Sequence, residues 1–160
     1  GTDRRGFEMA NISTASGYVR FEADTREVVQ LLMEALKPMS EGFTYFTDFR
    51  WGDDEWPNDE GTSVSVGFTG FGRWAFCENV KWVPGIIKGE KVPELERERW
   101  AIRWDFSDLE SGSDFCGNYE ILIEHPAGVP IEQSTFKYVE EQTYALSAEG
   151  HSKLRYPSLY

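Results

Sequence analysis

In residues 99–106, RWAIRWDF, every second side chain is large and apolar. Trp100, Ile102, Trp104 and Phe106 fall on one side; Ala101, Arg103 and Asp105 fall on the other. Successive side chains point to opposite faces of a pleated strand, so a period of two makes this segment a half-buried strand. The polar stretch SDLESGSDFCG then turns the chain, and NYEILIE returns as the second arm of a long hairpin. The same alternation occurs in GYVRFEA (17–23), with Val19, Phe21 and Ala23 on one face, and in TSVSVGF, through Val64, Val66 and Phe68. FTYFTDFRW (43–51) sets Phe43, Tyr45, Phe49 and Trp51 together. GFGRWAF continues extended, its Gly70 and Gly72 suggesting a bulge or tight bend. STFKYVEEQTYAL reads as strand, with helix as the alternative.

One segment has a different period. In DTREVVQLLMEALKP, Val28, Leu32, Ala35, Leu36 and Met39 recur at helical spacing, which predicts a helix over about residues 25–37. Asp24 is the expected N-cap, with Glu27 completing a capping box, and Pro38 stops the regular helix. Residues 78–98 carry two prolines and two glycines among polar residues and read as a loop with a short helix. One main helix packed on one face of a mostly antiparallel sheet is an α+β fold. At 160 residues the expectation is a single domain, here 9–148. The chain opens on Gly1 while Met9 begins MANIS, so residues 1–8 are expected to be a vector remnant or disordered leader. Residues 149–160 are expected to form a loosely held tail.

Charge narrows the function. Sixteen basic residues face 28 acidic ones, a net charge of −12, and a field of that sign repels phosphate backbones and anionic membranes. No apolar run has the length of a membrane span, and no signal sequence is recognisable, so the expected location is the cytoplasm. Cys77 and Cys116, both in aromatic surroundings, read as buried hydrophobes rather than as a disulfide framework.

The acids are unevenly placed. WGDDEWPNDEG (51–61) holds Asp53, Asp54, Glu55, Asp59 and Glu60 beside Trp51 and Trp56, and it reads as a turn-rich loop. A second acidic segment, 105–120, includes Asp108, Glu110 and Asp114. Counted from Asp53, an EF-hand loop fails, since Pro57 and Asn58 stand at its fifth and sixth positions. The two histidines, His125 and His151, are scattered and read as exposed loop residues, so no metal or other cofactor is expected. No nucleophile elbow is present, and GFTGFG lacks the Lys-Ser or Lys-Thr of a phosphate loop.

Three readings follow. The first is a non-enzymatic acidic binding protein: the named acids, anchored by Trp51 and Trp56, occupy a basic surface on a partner such as a nucleic-acid-binding enzyme. If the strands before the two acidic segments were neighbours running the same way, both turns would form one negative ridge. The second is a carboxylate-based hydrolase acting on carbohydrate, with Asp54 or Asp105 among its acids. The third is a structural accessory domain whose acids only confer solubility.

The opening MANISTASGYVRFEAD, the helix after it and the stretch WAIRWD (Trp100 to Asp105) resemble the YubB-type proteins of plasmids and phages. The glycine and lysine that family carries inside this stretch are absent here. The resemblance implies a ferredoxin-like fold, a mobile-element origin and a cytosolic accessory role; the analogy to small acidic inhibitors that mimic DNA, of the anti-restriction or anti-CRISPR kind, rests on charge and size alone. The resemblance implies no catalytic residue.

Overall fold

The computed structural model describes residues 12–41, 46–73, 75–110 and 114–157. The chain is α+β. Its strands, β1 (Ile12–Ala23), β2 (Phe46–Pro57), β3 (Ser63–Arg73), β4 (Trp100–Glu110), β5 (Phe115–His125) and β6 (Thr135–Ala145), form one antiparallel sheet in the order β2-β3-β1-β4-β5-β6. Six strands make it larger than a typical ferredoxin-like sheet.

The alternation sorts side chains as the sequence predicts. Val19 and Phe21 of β1, Val64, Val66 and Phe68 of β3, and Trp100, Ile102, Trp104 and Phe106 of β4 are all buried on the inner face. Against them packs α1 (Arg26–Leu36), whose Val28, Val29, Leu32, Ala35 and Leu36 are buried; a 3₁₀ turn, Lys37–Glu41, adds Met39. The N-cap is Thr25, not Asp24: the Thr25 hydroxyl accepts from Val28 N at 3.3 Å. Asp24 turns to Arg99 instead, and that guanidinium, 2.9 Å away, holds its carboxyl below the usual range.

Several expectations need correction. Residues 51–57 are not loop; they are the second half of edge strand β2, and only the 58–62 connection turns. There Asn58 N donates to Ser63 O at 2.8 Å, and Gly61 adopts φ +72°, the left-handed region glycine tolerates. β3 pairs with β1 without interruption through Gly70 and Gly72, and the irregularity near them lies in the pairing with β2, where Phe46 is opposite Gly72 but Asp48 is opposite Phe71. A Cβ on Gly70 would lie 2.9 Å from the rings of both Phe49 and Phe76, so this glycine makes room for aromatic packing.

Residues 76–98 fold into short helices, α2 (Phe76–Asn79), α3 (Val83–Gly89) and α4 (Glu94–Arg97), which bury Phe76, Val83, Ile87 and Leu95. His125 is not an exposed loop residue. It is buried at the end of β5, stacked on Trp100 with ring centroids 4.9 Å apart. Its Nδ1 and Nε2 face the carbonyl oxygens of Glu98 and Val129 at 2.9 and 2.8 Å. Cys77 and Cys116 are both free and buried, and His151 is exposed in the short helix α5 (Ala148–Ser152). Phe43 and Tyr45 lie outside the described residues. Among the described residues no helix is long and apolar enough to cross a membrane.

Candidate functional site

The outer face of the sheet carries Thr14, Ser16 and Tyr18 of β1 beside Gly67 and Thr69 of β3, with Tyr18 opposite Gly67 and Ser16 opposite Thr69. Small side chains at the centre leave a hollow. It becomes a cleft of about 590 Å³ because taller groups stand around it: Trp56 from β2, Tyr18 from β1, and Tyr156 with Pro157 from the chain end. Tyr18 lies between the other two rings, edge-to-face with Trp56 (centroids 5.7 Å apart) and with Tyr156 (5.4 Å). Such aromatic pairs hold their geometry beyond simple burial.

An irregularity in β2 sets the acidic rim. Trp51 pairs with Phe68 and Glu55 with Val66, so Gly52, Asp53 and Asp54 stand opposite Gly67 alone. The surplus residues bulge from the edge, and Asp53 and Asp54 line the cleft together with Arg50. Gly52 suits this close approach, since a Cβ there would lie 3.2 Å from Gly67 O.

The far wall is held by the chain end, which the sequence leads one to expect as a loose tail. Residues 153–157 lie across the outer face through a series of hydrogen bonds. Asn118 Nδ2 donates to Lys153 O (2.9 Å), Arg155 N to Asn118 Oδ1 (3.0 Å), Tyr156 N to Ser107 Oγ (3.0 Å) and Ser16 Oγ to Tyr156 O (2.9 Å). Arg155 bridges Asp105 (3.1 Å) and Glu140 (2.7 Å). Partial burial, and then the hydrogen bond to Asp105, push the Tyr156 phenol up to about 12.

The ten residues singled out in the sequence separate into three places. Trp51, Asp53, Asp54 and Trp56 line the cleft; Glu55, Asp59 and Glu60 are exposed along the same edge and its turn. Among the described residues none of these five acids makes an ion pair. Trp51 is no surface anchor. It packs inward against Phe49 (4.8 Å), Phe21 (6.0 Å) and Trp104 (6.3 Å), and its Nε1 donates to Leu36 O at 3.2 Å.

Asp108, Glu110 and Asp114 lie elsewhere. β2 runs with β1 and β4 runs against it, with β3 and β1 between them, so the two acidic turns emerge at opposite ends of the sheet. An eleven-residue strand separates them by roughly 30 Å. A single ridge does not form. Asp108 is not on the surface at all: it is 4% exposed on the inner face, and its Oδ2 accepts from Phe76 N at 2.9 Å, capping α2. Asp114 is exposed in a left-handed conformation, φ 58°.

Sequence reasoning missed Tyr18, Ser16 and Tyr156. Tyr18 had a signal, an aromatic on the polar face of an alternating strand; the other two had none. Among the described residues, Cys77, His125 and Asp105 are each committed elsewhere. Burial, and then the charge of Asp108, push the Cys77 thiol up to about 12, and both His125 nitrogens face carbonyl oxygens. Asp105 is tied to Arg155 and Tyr156. Among the described residues no group of three or more His, Cys, Asp or Glu side chains could hold a metal ion. The cleft offers aromatic rings, hydroxyls and carboxylates at its rim, a combination suited to holding a cationic side chain.

No family model matches the chain, and neither the curated proteins nor the solved structures yield a match.

Proposed function

We propose that this is a non-enzymatic binding protein that docks a basic surface of a partner protein, and that edge strand β2 with its cleft is the docking face. The observation that carries this reading is the juxtaposition along β2. Five exposed carboxylates, without ion pairs among the described residues, flank a cleft whose wall is the 51%-exposed Trp56. Unpaired acids give steering and fast association. A large ring beside a hollow gives the buried contact from which most binding energy comes.

The partner is a nucleic-acid-binding enzyme, and the acids of β2 take the place of a phosphate row in its basic channel. A chain of net charge −12 suits that task, and the resemblance to YubB-type proteins supplies an accessory role on a mobile element in which it would be used. With the second acidic turn at the opposite end of the sheet, the docking face is the β2 edge alone.

The test is capture from a host lysate with the parent chain and with a variant carrying Asp53→Asn, Asp54→Asn, Glu55→Gln, Asp59→Asn and Glu60→Gln. A basic nucleic-acid-binding protein retained by the parent, lost by the variant and released as salt rises supports the reading. Tight binding unchanged in the variant or at high salt overturns it.

A further inference from the structure

Ser16, Ser107 and Asn118 stand directly opposite one another on β1, β4 and β5 and form a polar row across the outer face. Ser107 and Asn118 are only 3% and 2% exposed, and Ser107 Oγ donates to Asn118 Oδ1 at 2.8 Å. The row meets four main-chain groups of the segment laid over it: Lys153 O, Arg155 N, Tyr156 N and Tyr156 O. Contacts of this kind hold a main chain whatever side chains it carries. Both basic side chains of the segment are received as well. The Arg155 guanidinium lies between Asp105 and Glu140, and the Lys153 ammonium lies 5.1 Å from the centre of the Tyr144 ring.

The segment is seated without joining the core. None of residues 151–157 is buried. The side chains that hold residues 153–157 to β1, β4, β5 and β6 are polar ones, Ser16, Asp105, Ser107, Asn118 and Glu140. Hydrogen bonds of this kind exchange for water at small net cost, and half-exposed ion pairs are weak. A permanent cover would instead be secured by buried apolar area.

We infer that this polar row is a track for a basic segment of the partner protein, and that residues 153–157 occupy it in cis as a displaceable strap. The inference rests on the reading of the partner as basic. An arginine followed by an aromatic residue in the partner takes the places of Arg155 and Tyr156, pairing with Asp105 and Glu140. With the strap lifted, the cleft loses the wall formed by Tyr156 and Pro157 and continues past β1 onto β4 and β5. Asp105 and Glu140 then open to the partner on the same face as the cleft. A strap in cis lowers the partner's apparent affinity by the fraction of molecules in which it is lifted, and it rejects segments that cannot match its contacts.

The experiment measures binding of a fluorescent peptide of residues 151–157, HSKLRYP, to the full chain and to its Arg155→Gln variant, whose strap has lost both ion pairs. The expected result is saturable binding to both, about tenfold tighter to the variant, as for a parent strap lifted about a tenth of the time. The same peptide with glutamine in place of its arginine should bind neither chain. Glu140→Gln added to Arg155→Gln should weaken binding of the arginine peptide. No binding to the Arg155→Gln chain, equal binding to parent and variant, or equal binding of the two peptides would overturn the inference. Peptide binding without capture through β2 would count against the docking face alone; capture without peptide binding would count against the strap alone.

Discussion

Tyr156 Oη donates to Asp105 Oδ2 at 3.0 Å, joining the chain end to the middle of β4 across 51 residues of sequence. That contact stands the Tyr156 ring against Tyr18 and so builds one wall of the cleft. Removing the hydroxyl while keeping the ring tests it directly. Tyr156→Phe is expected to lower stability by about 1 kcal/mol in denaturant unfolding, as for one half-buried hydrogen bond. It should also speed amide exchange at Arg155 and Tyr156, whose N–H groups donate to Asn118 and Ser107.

The two tryptophans of the acidic segment differ in kind. Trp51 packs on the core and bonds to the end of α1; Trp56 stands half in solvent. Trp51→Ala should cost about 2–4 kcal/mol through lost packing, and Trp56→Ala no more than about 1 kcal/mol. Thermal unfolding of both variants checks the contrast. Equal losses would mean that Trp51 is not part of the core.

Where β1 passes β4 there is no space for a side chain at Gly17. A Cβ there would lie 2.6 Å from Phe106 Cα and closer still to the Asp105 carbonyl oxygen. Since backbone cannot yield as a side-chain tip can, Gly17→Ala is expected to destabilise by about 3 kcal/mol or more. Gly85→Ala, where nothing lies within 4 Å, is the matched control, and its unfolding midpoint should not fall.

Stability should also report the burial of Asp108. Its folded pKa is raised from 3.8 to about 7, so the native state holds a proton that the unfolded state releases. Stability from this group is therefore full below pH 3.8 and is lost as pH rises to about 7. At about 1.4 kcal/mol per pH unit the loss amounts to about 4 kcal/mol. Asp108→Asn cannot ionise, so its advantage over the parent should grow across that window and level off above it. Unfolding curves from pH 4 to 8 measure this, and parallel pH profiles would contradict the assignment.

Much of the fold was legible because its signals are local. A period of two in RWAIRWDF and GYVRFEA, and a period near 3.6 in EVVQLLMEAL, name both the element and its buried face without reference to any other part of the chain. The same alternation that buries Trp104 and Phe106 also carries Asp108 to the inner face, a consequence obscured by its acidic neighbours. At the cleft, the acids and Trp56 were visible as composition, but their division from Asp108, Glu110 and Asp114 was not.

What the sequence determined by itself is therefore strands β1, β3, β4 and β5 with their buried faces, the main helix with its stripe and the large negative charge. Tertiary structure alone decided that β2 and β4 run in opposite directions, so that the acidic turns part company. It also decided that Gly52–Asp54 bulge at the edge, and that Arg155 and Tyr156 are laid across the outer face to wall a cleft. The reason is physical. Periodicity records how a residue meets its near neighbours, whereas strand order, register and the seating of the chain end depend on hydrogen bonds and packing between residues far apart in sequence, which leave no periodic trace in any one segment.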